Sequence, residues 1–145
     1  MMEYTADAEA LFRNFARRHS FSIEKVNDPE VELLMRVPAQ PGLSFELTLG
    51  LQNGDELNIG FEEFWSYFFP FDEKTRRTVV DALDALVAGE CRLAIHTQLG
   101  RVVKHVLERR HDGRWRSVYT AIASFQLPFL GTGTAYTYNE CARSP

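Results

Sequence analysis

His105, Arg109 and Arg116 are the polar residues whose spacing could do chemistry together. Asp112-Gly113 between two alternating runs is a strong hairpin signal. A two-residue turn there pairs His111 with Arg114, Arg109 with Arg116, Leu107 with Val118, His105 with Thr120 and Val103 with Ile122. A loop of Leu99-Gly100-Arg101 sets Ile95 opposite His105 and Leu93 opposite Leu107. Both registers give one apolar face of Leu93, Ile95, Val103, Leu107, Val118 and Ile122, with His105 in its middle. Arg109 and Arg116 oppose each other at the edge of that face, near Cys91. Like charges directly opposite repel unless an anion or an acid sits between them. A buried histidine with two arginines at the cavity mouth, and Tyr119 as a further anchor, suits a carboxylate or phosphate ligand. The plainer alternative is a core histidine bonded to Thr120 or backbone, beside ordinary surface arginines.

Other constellations are weaker. His105-x-x-Glu108-x-x-His111 has the look of a metal site, but on a strand Glu108 points away from both histidines, so no metal is expected. Glu62-Glu63 and Asp72-Glu73 lie in apolar settings that could raise a carboxyl pKa, though acids also suit a helix's first turn. Gly131-x-Gly133 is followed by no helix, so it is not a phosphate loop, and no Ser or Cys nucleophile has a base in reach. Nothing calls for a cofactor. On the other face of the hairpin, Arg110, Trp115 and Tyr119 form an aromatic–arginine cluster of the kind that anchors interfaces.

The elements that must position these residues read clearly in places. A helix is predicted over 6–18, capped by Thr5, with Ala8, Leu11, Phe12 and Phe15 as its stripe. Period-two alternation follows through Phe21, Ile23, Val31–Val37, Leu43–Leu51 and Leu57–Phe61, a four-stranded antiparallel meander. At Asn53-Gly54-Asp55 a three-residue loop pairs Leu51 with Leu57 and Leu49 with Ile59, keeping the apolar faces together. Phe61–Phe71 carries seven aromatic residues. Phe61, Phe64, Trp65 and Phe68 fall at helical spacing, so a short helix ended by Pro70 is expected, with Tyr67 and Phe69 off the stripe as contact candidates. Asp72 caps a second helix over 73–88, ended by Gly89. Strands return from Cys91, and Ala135–Asn139 adds a last one.

With 145 residues, 45% apolar and 25% charged, the chain reads as a single globular α+β domain over 1–145. The start has no basic and apolar leader, no run is long enough to span a membrane, and two distant cysteines suit a reducing cytoplasm. Residues 1–73 hold fourteen acids and five bases, a net −9; residues 74–145 hold six acids and eleven bases, a net +5. That asymmetry points to an anionic partner, while attraction between the two halves of the domain or plain solvated charge is the blander explanation. Nucleic acid is not expected for an acidic chain with no recognition motif. No motif identifies a family; a likeness in size and element order to secretion chaperones and toxin-neutralising immunity proteins is one of architecture.

The expected fold is two antiparallel β-meanders forming a bent sheet or half-barrel, each preceded by a helix. The expected function is non-enzymatic: binding a protein partner, or a second copy, through an aromatic and charged surface that includes Tyr67, Phe69, Arg110 and Trp115. The alternative is a small anionic ligand held by His105, Arg109, Arg116 and Tyr119.

Overall fold

Apolar residues at every second position mark the strand segments of the chain, and the computed structural model, which describes residues 4–142, shows where each run goes. The elements are α1 (Thr5–Arg18), β1 (Glu24–Lys25), β2 (Leu33–Val37), β3 (Leu47–Gln52), β4 (Glu56–Phe61), β5 (Phe64–Trp65), α2 (Glu73–Ala88), β6 (Cys91–Gln98), β7 (Arg101–His111), β8 (Arg114–Ile122) and β9 (Gly133–Thr137). They form an α+β fold with two antiparallel sheets, ordered β1-β2-β3-β4-β5 and β8-β7-β6-β9, and no closed barrel among the described residues. The expected order of helix then meander, twice over, is what forms. The chain divides into two compact units, Met1–Asp84 and Ala85–Pro145, with the boundary inside α2.

In the first unit α1 packs on β2 and β3. Phe12, Phe15, Met35, Leu47, Leu49, Leu57 and Ile59 are all fully buried there, the apolar burial that drives folding. The three-residue loop forms as expected, with Leu51 opposite Leu57 and Leu49 opposite Ile59. Thr5 is not the cap of α1: the flanking residue is Tyr4, with no side-chain cap, and the Thr5 hydroxyl is buried inside the first turn. Asp72 does cap α2, its carboxylate accepting the Thr75 N–H at 2.8 Å. Asp84 of α2 is held to the end of α1 by Arg18 at 2.9 Å and His19 at 2.7 Å.

The aromatic stretch is not a helix. β4 runs to Phe61, Glu62 turns the chain with φ 56°, and β5 comes back along β4 with Phe64 opposite Phe61. The pairing continues beyond β5: Ser66 exchanges backbone and hydroxyl bonds with Ile59, and Phe68 exchanges both backbone bonds with Leu57. A helix would have left the backbone edge of β4 unpaired beside buried side chains, which costs more than helical spacing gains. Phe45 stacks on Phe61 at 4.8 Å, and Phe64 meets Phe61 edge-on at 5.6 Å. Gly60 is required by this return, since a Cβ there would lie 2.4 Å from the Trp65 ring.

In the second unit the β6–β7 register is as expected, with Ile95 opposite His105 and Leu93 opposite Leu107. It is reached by a tighter turn, with Gln98 opposite Arg101 and one extra residue, Val103, restoring the offset. The β7–β8 register departs from expectation. His111 pairs Arg114 and Arg109 pairs Arg116, but Val118 is then skipped, so Tyr119 faces Leu107 and Ala121 faces His105. Val118 is left out of the pairing, and Ile122, now opposite Lys104, leaves the apolar face and is 73% exposed. A bulge of this kind bends the strand and turns over every later side chain. The last strand begins two residues earlier than expected and lies against β6, at the far side of the sheet from β8.

Candidate functional site

Strand alternation sorts the side chains of the second sheet onto two faces. Cys91, Leu93, His105 and Leu107 fall on the inner face and are buried. Arg92, Glu108, Arg110, Trp115 and Tyr136 fall on the outer one. There the Arg92 guanidinium lies 4.0 Å from the centre of the Trp115 ring and 3.9 Å from that of Tyr136. Its Nε donates to the Glu108 carboxylate at 2.8 Å, fixing the plane of the fork between the rings. Three strands supply the stack, β8, β6 and β9, and it forms only because β9 pairs with β6.

Beside it, Arg110 donates from Nε and Nη2 to the two carboxylate oxygens of Glu90, each at 2.7 Å. The Arg110 backbone N–H donates to the Glu90 carbonyl at 2.8 Å, so the pair is tied twice. Its hydrogen bond from Arg110 holds the Glu90 carboxyl below the usual carboxylate range. Glu90 takes its place from the end of α2: the Gly89 N–H returns to the Leu86 carbonyl and the Glu90 N–H to that of Ala85. Asn139, buried, donates to the Val87 carbonyl and accepts the Cys141 N–H. Together Gly89, Glu90, Arg92, Arg110, Trp115 and Tyr136 line most of a groove of about 500 Å³.

Arg110 and Trp115 are cross-strand neighbours within the groove. Tyr119 does not join them, because the bulge at Val118 turns it to the inner face with His105, Arg109 and Arg116. On that face His105 is buried and both arginines are exposed. None of those four residues lines this groove. Tyr67 and Phe69, in the first unit, are 40% and 61% exposed, with the Phe69–Pro70 peptide cis. Glu108 points to the opposite face from His105 and His111 and is engaged by Arg92. Among the described residues no group of three or more potential ligands is placed to hold a metal ion, and no helix is long and apolar enough to cross a membrane.

Arg92, Glu90, Glu108 and Tyr136 are absent from the sequence-derived site. Arg92 could have been found, since alternation with Cys91 and Leu93 sends it to the outer face opposite Glu108. Tyr136 carries no such signal, because nothing near it says which strand β9 joins. Comparison with protein-family models, with curated proteins and with solved structures gives no match.

Proposed function

We propose that the protein is a non-enzymatic interaction protein that engages a protein partner through the outer face of its second sheet, with Trp115 and Tyr136 around Arg92 as the anchor. The observation that carries this reading is the guanidinium held between two rings at 4.0 and 3.9 Å. Trp, Tyr and Arg dominate the energetics of protein interfaces, and a side chain already fixed loses little entropy on binding. Tyr136 is 47% exposed, so a partner can reach it. The arginines of the groove are matched, Arg110 by Glu90 within it and Arg92 by Glu108 beside it. Such matching suits recognition more than proton transfer: Glu90 is held ionised, the opposite of what a general acid at neutral pH needs. Cys91 is fully buried with its thiol pushed up to about 12, which suits a core residue and not a nucleophile.

The test uses wild-type and Trp115→Ala chains as parallel baits, with identification of what each retains and calorimetry on any protein retained by wild type alone. Trp115→Ala is expected to weaken that partner by about 2 kcal/mol or more, roughly thirtyfold. Equal retention on both baits, or a partner whose affinity Trp115→Ala and Tyr136→Ala leave unchanged, would overturn the assignment.

A further inference from the structure

A sheet edge offers unpaired backbone groups to any other strand, and proteins blunt such edges by shortness, charge or bulges. Three edges here carry such a device. β1 is two residues, Glu24 and Lys25, both charged. β5 is also two residues. β8 carries Arg114 and Arg116 and is bent where Val118 is skipped. β9 is different. Gly133, Thr134, Ala135, Tyr136 and Thr137 include no charge and no proline, pair with β6 without a break in register, and are exposed at all but the last position.

We propose that β9 pairs antiparallel with β9 of a second copy of this chain, about a two-fold axis through Ala135, making one eight-stranded sheet from two of four. The edge is its own complement. Pairing about Ala135 sets Gly133 opposite Thr137 and Thr134 opposite Tyr136, so no charge meets its like, the condition an isologous contact must satisfy. The side chains favour the same partner. Tyr136 already stacks on Arg92, and in this register the two Tyr136 residues become diagonal neighbours, about 7–8 Å apart and within reach of each other's rings. The stack of Trp115, Arg92 and Tyr136 then continues across the axis into its copy. Phe129, 80% exposed and four residues before β9, adds apolar surface on the approach to that edge.

The inference rests on the reading of the outer face as an interaction surface, and the experiment separates the two. Analytical ultracentrifugation of the full chain over a concentration series is expected to show a monomer–dimer equilibrium. Ala135→Lys sets like charges opposite each other at the axis and is expected to weaken the dimer at least tenfold, with an unchanged circular dichroism spectrum showing that the chain still folds. As a second measurement, Ala135→Cys in a Cys141→Ser background places two thiols directly across the axis, within disulfide reach. Mild copper–phenanthroline oxidation should give a covalent dimer, whereas Ser117→Cys on β8 in the same background should not. A chain monomeric at every concentration, a dimer indifferent to Ala135→Lys, or equal cross-linking through Ser117→Cys would overturn β9 pairing. If the chain is monomeric while Trp115→Ala still loses an identified partner, edge pairing alone fails. If Ala135→Cys cross-links while Trp115→Ala alters the binding of no partner, the separate-partner reading alone fails.

Discussion

Arg92 shows how much one side chain depends on chemistry beyond its charge. Its contacts are two ring faces and one carboxylate, with 21% of the side chain exposed. Lysine would keep the charge and lose the flat fork that lies between the rings. Arg92→Lys is therefore expected to cost about 1–2 kcal/mol, on the scale of two cation–π contacts at a partly buried site. Urea unfolding beside Arg109→Lys makes the comparison, since Arg109 is exposed and its substitution should stay within about 0.5 kcal/mol of wild type. Equal losses from the two would show that the stack contributes nothing to stability. At this scale the site was half legible. Arg110 opposite Trp115 follows from the turn at Asp112-Gly113 alone, where φ is 52° and 76°. Tyr119 departs from its expected face through one skipped residue: no proline or glycine marks Val118, so nothing local signals the bulge.

The elements divide by whether their signal is local. α2 is legible at both ends, because Asp72 and Gly89 act on the backbone beside them. β5 is not legible, because its stability comes from the edge of β4 that it covers, and the same aromatics fit a helix by spacing. The end of α2 also carries a consequence for the site, since Glu90, the partner of Arg110, follows Gly89 directly. Gly89 sits at φ 76°, and a Cβ there would lie 2.9 Å from that of Ala142 in the 3-10 turn Glu140–Ala142. Gly89→Ala is expected to lose about 1–2 kcal/mol from the left-handed backbone alone. It should also loosen the hold of Glu90 on Arg110. Chemical denaturation reads the first effect. For the second, Gly89→Ala and Glu90→Gln should show the same change in Trp115 fluorescence once Trp65 is replaced by Phe in both. A neutral Gly89→Ala would mean that the turn relaxes without strain.

For the whole molecule, the shifted ionisable groups combine into a stability profile with two sloping limbs. Arg13, helped by Lys25, holds the Glu9 carboxyl below its ordinary 4.5, and Arg110 does the same for Glu90. The Thr75 backbone N–H holds Asp72 below 3.8. Burial, then Lys104, holds His96 below 6.5, where its Nδ1 shares a hydrogen bond with Thr134 at 3.1 Å. In all four the unfolded chain binds the proton more readily than the folded one. Their stabilisation is present above the ordinary pKa and lost as pH falls through the folded value. The descent therefore begins with His96 near 6.5 and steepens below 4.5 as the carboxylates protonate. Cys91 acts in the opposite direction. Burial raises its thiol from 9.0 to about 12, so the folded chain keeps a proton that the unfolded chain releases. Its contribution is complete below pH 9.0 and is lost between 9.0 and about 12. Melting temperatures from about pH 3 to about pH 11 should accordingly show a plateau between 6.5 and 9.0. The measurement is made in a Cys141→Ser background, because that exposed thiol would otherwise oxidise between molecules on the alkaline side. Cys91→Ala lowers the plateau by the cavity it leaves but should flatten the alkaline limb, and Glu90→Gln should flatten part of the acid one. An alkaline limb that persists unchanged in Cys91→Ala would assign the loss to other groups, and a profile without a plateau would mean that the four acid-side shifts do not govern stability.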